Sequence, residues 1–517
     1  MRPGIPYLPV VLLVCILAAL GMARLTVQAE QQETDAAQRF FEDGQRLESE
    51  DDLEAALQQY TLVVEEFPES PLAPQALLRL AQQYWRAGDV DSSLQATKRL
   101  RDTYANTPSS AGALVLEGDI QLVRAQGLSD LEAAQAKFNR VPFLFNPDQY
   151  PALDWRSQAL VQSGNISLLL GRLDDAGTAF VTAIENEEFF SGTTQAQIGL
   201  ATVFLNRGHW VPASEILQRV VDTTRHADGL VEDDSRQVAR QWLSLIHRTI
   251  LLPSLGQTPW AKVRRLSVSG VSLRDPIGIA ARADGWLIVA QDDGPLVAVV
   301  DPEGSLLGAA RQDRLRGALW DSTNNAYAVT ERAVFEPISR ASHTFAIPSG
   351  RPGQQDSLAD LAAGARNIFG SWFLLDTDLE RVVMFEPNGT YHSTLMERTE
   401  RPRDLVADSQ GRIFVLHEFD AGVVRFNAEG VREARVVTGG DWERPIAVAV
   451  DRLGHIYVLD RSEKIIDVFK STGESLVTIG PGLSNGVELD DPRDIAVDDS
   501  GRLYIADRGL DTILILE

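Results

Sequence analysis

Cysteine is almost absent, and the single Cys15 leaves no internal disulfide and, downstream of it, no cysteine nucleophile or thiolate metal site. Basic residues are scarce beside acidic ones. With 48 Lys and Arg against 73 Asp and Glu, the net charge of −25 repels a phosphate backbone, so nucleic acid is not expected as a partner. Long apolar runs are confined to the beginning, where Arg2 precedes the stretch Tyr7–Ala23 and then Val27-Gln28-Ala29, a small-x-small pattern fit for signal cleavage. Residues 1–29 are therefore read as an export signal, whose removal takes two arginines and no acid and moves the net charge from −25 to −27. The run is at the short end for a bilayer span, and an uncleaved membrane anchor through residues 7–23 is the alternative. Hydrophobic residues at 44% and charged residues at 23% are ordinary globular usage, and 517 residues call for two to four folded units.

From Thr34 to Leu252 apolar residues recur at spacings of three and four, with few Gly or Pro inside the segments, which predicts helices. The helices come in pairs with matching side-chain sizes. One pair places Gly164, Ala176, Phe180 and Ala183 on a frame whose turn is Leu170–Asp175; another has Ala201, Ala213, Leu217 and Val220, with Gly208 at the turn. The first pair sets Phe40, Gly44, Leu47, Ala56, Tyr60 and Pro68 on the same frame. Small residues at Gly44, Ala56, Gly164 and Ala176 let antiparallel helices approach, and Tyr60 and Phe180 fill the space beside them. This pattern resembles the tetratricopeptide repeat over roughly residues 34 to 225, strong in the first, fourth and fifth pairs and degenerate in the two between. The third pair carries an irregular, proline-bearing stretch around Val141–Ala152, where the frame slips. A last helix, about Asp234 to Leu251, is read as a cap. The junction Phe67–Ala73, with the pair after it, resembles the repeats of bacterial envelope-assembly proteins.

The linker Pro253–Pro259 breaks this period and a strand period follows. Asp275–Ala280, Pro402–Ala407, Pro445–Val450 and Pro492–Val497 each open an apolar strand, answered after a turn with Gly285, Gly411, Gly454 or Gly501 by a second. The ends of the second strands, Gln291, Thr330, Asp376, His417, Asp460 and Asp507, are spaced by 39, 46, 41, 43 and 47 residues. Six repeats of that length predict six propeller blades. The last blade runs out at Glu517 one strand short, and Lys262–Val268 is the segment expected to supply that strand and close the ring. The Asp-x-x-Gly turn followed by a strand ending in Asp resembles the NHL repeat, well in blades four to six and poorly in two and three.

The inner-strand starts read Ile277-Gly278, Arg316-Gly317, Arg366-Asn367, Arg403-Asp404, Ile446-Ala447 and Arg493-Asp494. Arg316, Arg366, Asn367, Arg403, Asp404, Arg493 and Asp494 are thus candidate ligand-binding residues at one mouth of the channel, fit for an anion or a peptide carboxylate. The plainer expectation is that these groups pair between blades and tie the ring. Propellers resembling NHL repeats include amidating lyases, which hold zinc on channel histidines. No histidine occupies the six starts; His343, His392 and His455 fall in outer strands or turns, and His417 ends a second strand. Lactonase-like propellers hold calcium on oxygens such as Asn367, Asp404 and Asp494 would offer, but the neighbouring arginines oppose a cation there. No cofactor, catalytic residue or metal ligand is assigned.

The expected fold class is α plus β multidomain: signal or anchor 1–29, helical solenoid with cap 30–252, linker 253–260, six-bladed propeller 261–517. The expected function is an exported, non-enzymatic scaffold or adaptor that binds proteins or peptides, periplasmic or extracellular in the bacterial envelope. The alternative is a propeller hydrolase or lyase with a repeat module for targeting.

Overall fold

The computed structural model describes residues 33–517 apart from 151–152, 186–192, 224–232, 258, 349–354, 359, 397–400, 419–421, 439–441, 481 and 484–485. The segment expected to direct export lies outside the described residues, and among the described residues no helix is long and apolar enough to cross a membrane.

Helices fill the first half: α1 (33–49), α2 (Leu53–Glu66), α3 (Ala73–Arg86), α4 (Val90–Thr103), α5 (Pro108–Val123), α6 (Leu128–Leu144), α7 (Asp154–Leu169), α8 (Leu173–Glu185), α9 (Thr193–Asn206), α10 (Trp210–Thr223) and α11 (Asp233–Ile246). Turn chemistry sets their starts. The Asp52 carboxylate accepts the Ala55 N–H at 3.2 Å and the Asp89 carboxylate the Ser92 N–H at 3.1 Å, each capping a helix of which the sequence places an Asp just ahead.

Small residues do permit close approach. A Cβ added to Gly44 would stand 2.7 Å from the Tyr60 ring, and one added to Gly164 would stand 2.7 Å from Phe180. Phe180 also lies under Gly199, where an added Cβ would come within 2.4 Å. The third pair repeats the device with Gly118 against Phe138, again at 2.7 Å. Its glycine and aromatic are four residues farther apart in sequence than Gly44 and Tyr60, one residue of the difference lying in the turn before α6 and three in the start of α6 itself. The frame therefore slips at the start of α6 as well as after it, where α6 carries Pro142 and its connection to α7 is longer than those leading to α3 and α5.

The chain divides into two compact units, Met1–Arg124 with Asp130–Ser163 and Glu185–Phe190, and Ala125–Ser129 with Gly164–Ile184 and Ser191–Glu517. The second unit takes in α8 to α11 together with the strand half, so the linker at 253–260 is not the seam between units. Within it α11 continues as a π-helical turn, His247–Leu251, and Arg452 of the strand half lies 5.0 Å from the centre of the Trp242 ring. Trp260 is 3% exposed and its indole N–H donates to the Gly501 carbonyl at 2.7 Å.

The strand half is a six-bladed propeller. Strand β1 (Val263–Arg265) precedes blade one, which is β2 (Pro276–Ala281), β3 (Leu287–Gln291), β4 (Leu296–Val300) and β5 (Leu306–Arg311). Blade two is β6 (Leu315–Trp320), β7 (Ala326–Thr330), β8 (Ala333–Phe335) and β9 (Ser342–Thr344), followed by an unforeseen hairpin, β10 (Ala346–Pro348) with β11 (Gln355–Ser357). Blade three is β12 (Leu361–Arg366), β13 (Trp372–Asp376), β14 (Arg381–Phe385) and β15 (Tyr391–Met396). Blade four is β16 (Pro402–Ala407), β17 (Ile413–His417), β18 (Gly422–Phe426) and β19 (Arg432–Thr438). Blade five is β20 (Pro445–Val450), β21 (Ile456–Asp460), β22 (Ile465–Phe469) and β23 (Ser475–Ile479). Blade six is β24 (Pro492–Val497), β25 (Leu503–Asp507) and β26 (Thr512–Leu516), and β1 pairs antiparallel with β26 as its fourth strand. The second strands are buried along their whole length, because each is covered by a neighbouring blade on both faces.

Five of the six blades turn between their first two strands on one polar acceptor side chain, and blade one has Arg282 at that position. Asp498 accepts the N–H groups of Ser500 at 2.9 Å and Arg502 at 3.0 Å; Asp451, Asp408, Asp321 and Asn367 do the same in their blades. The glycine that follows sits at positive φ in five of the six turns, and in blade two Asn324 takes that conformation at φ 63°.

Candidate functional site

A bulge recurs at the start of every inner strand. The pairing register skips one residue between Pro276 and Gly278, Leu315 and Gly317, Leu361 and Ala363, Pro402 and Asp404, Pro445 and Ala447, and Pro492 and Asp494. A bulge re-aims the side chain it carries. The skipped residues, Ile277, Arg316, Ala362, Arg403, Ile446 and Arg493, all line the channel cavity, whose volume is about 310 Å³. Asp404 and Asp494 line it too.

Arg366 and Asn367 do not belong to this ring. They lie at the other end of β12, where Arg366 pairs with Trp372 in the register and donates to Asp321 at 2.9 Å and to the Tyr327 hydroxyl at 2.8 Å. Its guanidinium stands 4.5 Å from the centre of the Trp372 ring. Asn367 holds the turn and donates to the Ala428 carbonyl. Blade three begins its inner strand with Leu361-Ala362-Ala363, without the proline and polar pair that mark blades four and six, so the expected position was displaced by four residues. The mouth holds three of the four expected arginines.

These arginines are tied on their outer side. Arg316 donates to Glu331 at 2.9 Å and to Asp360, at the edge of blade three, at 3.3 Å. Arg403 donates to Glu418 at 2.8 Å through Nε and again through Nη2. Arg493 donates to Asp491 at 2.8 Å; that carboxylate also takes Arg461 of blade five at 2.6 Å and Arg508 at 2.9 Å. Burial alone would raise the Asp491 pKa, but Arg461 and Arg493 outweigh it and hold the carboxyl below the usual range.

Asp404 and Asp494 join neighbouring blades through the backbone. Asp404 accepts from its successor Leu405 at 2.8 Å and from Val448 of blade five at 2.7 Å; Asp494 accepts from Ile495 and from Ile279 of blade one, both at 2.8 Å. Burial pushes the Asp404 carboxyl up to about 7. Burial and the nearby Asp404 push Asp494 well above the usual carboxylate range. Because the folded state then binds protons that the unfolded chain has lost, stability falls as pH rises from about 4 through about 7. The propeller is expected to unfold a few degrees higher at pH 5.5 than at pH 8, followed by near-ultraviolet circular dichroism, and Asp404→Asn is expected to flatten that dependence. A lower melting temperature at pH 5.5 would contradict the assignment.

The histidines stand elsewhere. His455 contacts Asp451 at 2.9 Å, His343 contacts Glu336 at 2.8 Å, His392 contacts Ser393 at 2.9 Å, and His417 is buried at the end of β17. None lines the cavity. Asn367 lies apart from Asp404 and Asp494, so the three oxygens suggested for calcium do not meet. Among the described residues, no cluster of three or more His, Cys, Asp or Glu has the geometry to hold a metal ion.

The cavity mouth also carries the residues flanking the first two strands of each blade. A backbone bond repeats there six times, joining Asp292 to Asp275, Glu331 to Arg314, Thr377 to Asp360, Glu418 to Arg401, Arg461 to Arg444 and Arg508 to Asp491. With the three ring arginines these positions hold eight arginines and six carboxylates, and Asp404 and Asp494 in the cavity bring the carboxyl groups to eight, so the mouth is more basic than a protein of net charge −25 but carries no surplus by count.

The tetratricopeptide repeat model matches residues 75–107, which are α3 and α4, the pair whose residues read as degenerate. No curated protein is significantly similar to the chain. Among solved structures, a streptogramin B lyase is similar at 12% identity, covering 50% of this chain and 97% of its own, with a TM-score of 0.38. A virginiamycin B lyase from Staphylococcus aureus is similar at 11% identity, covering 49% and 98%, with a TM-score of 0.37. A gluconolactonase from Xanthomonas campestris is similar at 15% identity, covering 49% and 93%, with a TM-score of 0.37. The chain thus joins a solenoid of helix pairs, one of them matched as a tetratricopeptide repeat, to a six-bladed β-propeller.

Proposed function

We propose that this protein is an exported, non-enzymatic adaptor of the bacterial envelope, which binds proteins or peptides through its helix-pair solenoid and through the mouth of its propeller. The observation that carries the reading is the joining of a tetratricopeptide match at 75–107 to a six-bladed propeller on one chain, since both architectures offer extended surfaces for contact. Export rests on Arg2, the run Tyr7–Ala23 and Val27-Gln28-Ala29, and places the protein in the periplasm or outside the cell; retention of residues 7–23 as an anchor is the other form of the same reading.

The test is photocrosslinking of the full chain in its native cells, with a photoreactive residue at exposed Gln75 on α3 or at Arg508 beside the mouth. Discrete crosslinked proteins from both positions are expected. Crosslinks only within the chain, or a chelator-sensitive hydrolase or lyase activity of the purified protein, would overturn the reading.

A further inference from the structure

The bulge residue alternates around the mouth. Blades two, four and six place Arg316, Arg403 and Arg493 there, while blades one, three and five place Ile277, Ala362 and Ile446. In a ring of six blades, alternate blades are related by a third of a turn, so three guanidiniums surround the channel axis with threefold spacing. All three line the cavity, whereas the carboxylates that hold them, Glu331, Asp360, Glu418 and Asp491, do not. The carboxylates grip each arginine from outside through Nε or Nη2, and no Nη1 of the three makes a hydrogen bond among the described residues. The Nε of Arg493 is buried without a partner as well. Guanidiniums already fixed by ion pairs lose little freedom on meeting a ligand, and the spare N–H groups remain for it.

We propose that this ring binds the trigonal end of a phosphate or sulfate monoester. The terminal group of such an ester carries three equivalent oxygens related by a threefold axis, one for each arginine, with the ester oxygen on the channel axis. A carboxylate offers only two oxygens and engages the ring incompletely. Ile277, Ala362 and Ile446 stand between the arginines and line the same cavity with apolar side chains. Two acids share the cavity, Asp404 and Asp494, and their oxygens are turned to backbone N–H groups of their own and the neighbouring blades. Burial also favours their neutral forms, which removes much of their opposition to an anion. The inference stands apart from the adaptor reading: the ring can hold a small ester whether or not a protein is captured.

The test is titration calorimetry of the full chain at pH 7 and fixed ionic strength with phenyl phosphate, phenyl sulfate and benzoate. Saturable one-site binding of phenyl phosphate and phenyl sulfate is expected, with benzoate at least tenfold weaker. Arg403→Met and Arg493→Met should each weaken phenyl phosphate at least tenfold, and Arg265→Met, on the exposed side of β1, should leave it unchanged. Arg403→Lys keeps the charge but loses the planar fork, and should weaken binding at least threefold in a chain whose melting temperature is checked first. A phosphoserine peptide that binds tighter than phenyl phosphate assigns the ester to a protein side chain; weaker binding assigns it to a small molecule, and both support the site. Benzoate bound as tightly as phenyl phosphate, wild-type affinity in Arg403→Met, or no saturable binding would overturn it.

Discussion

Replacing residues 262–268 of the full chain by a glycine-serine segment of equal length is expected to lower the melting temperature of the propeller by roughly 10 °C or more. The segment carries β1, whose three residues pair with Leu514, Ile515 and Leu516 of β26. Beyond the strand, Lys262 and Glu517 exchange two backbone hydrogen bonds at 3.0 and 2.8 Å, and the Leu266 N–H donates to the Ile513 carbonyl at 2.8 Å. Each such bond is worth about 0.5–1.5 kcal/mol net. The replacement also removes Leu266 and Val268, 5% and 7% exposed, each worth about 1.5–3 kcal/mol of burial. What remains is an open β26 edge of apolar residues in a ring that depends on closure, and self-association should follow the loss of stability. A melting temperature within two degrees of wild type, measured by near-ultraviolet circular dichroism, would show that blade six closes by other means.

Asp498→Ala is expected to destabilise the propeller by about 3–5 kcal/mol. The Asp498 side chain is fully buried and serves five donors: the Ser500 N–H and hydroxyl and the Arg502 N–H on one oxygen, the Arg502 Nε at 2.7 Å and the Tyr504 hydroxyl at 2.9 Å on the other. Alanine leaves the Arg502 charge and the Tyr504 hydroxyl without their acceptor in the interior, the expensive way to break a buried pair. Asp498→Asn retains one acceptor for the turn and should fall between the two in denaturant unfolding. A loss under 1 kcal/mol for the alanine variant would mean that this turn is held mainly by packing.

The regular parts of the fold were legible because they rest on local chemistry. All six residues taken as ends of second strands, from Gln291 to Asp507, are the last residues of β3, β7, β13, β17, β21 and β25. The missing outer strand of blade six pointed to β1 because an unpaired apolar edge has to be covered. The failures have equally local causes. The bulge that turns Arg316, Arg403 and Arg493 into the cavity leaves no mark on the period of two, so their convergence was read from symmetry alone. Arg366 was misplaced because blade three lacks a proline at the start of its inner strand, and the nearest Arg with a polar successor stood in for it. The pair Gly118 and Phe138 was hidden by a spacing four residues longer than that of Gly44 and Tyr60, although the contact it makes is the same as that of Gly164 and Phe180. The pair α3–α4, which matches the tetratricopeptide repeat model, read as degenerate because Ala81 and Ser93 stand where its neighbours carry glycine and alanine, and no large aromatic fills the gap.

The channel mouth is either a ring of ties between blades or a surface that also receives a partner, and one measurement separates these roles. In the photocrosslinking experiment with the reactive residue at Arg508, Arg403→Ala and Arg493→Ala are introduced together, and the crosslinked partner is quantified beside the melting temperature. The adaptor reading expects the partner to be lost from the mouth while the propeller still unfolds cooperatively, since Asp404 and Asp494 keep their backbone bonds to blades five and one. Undiminished crosslinking of the same partner by the double variant would contradict it and leave the arginines as struts of the ring.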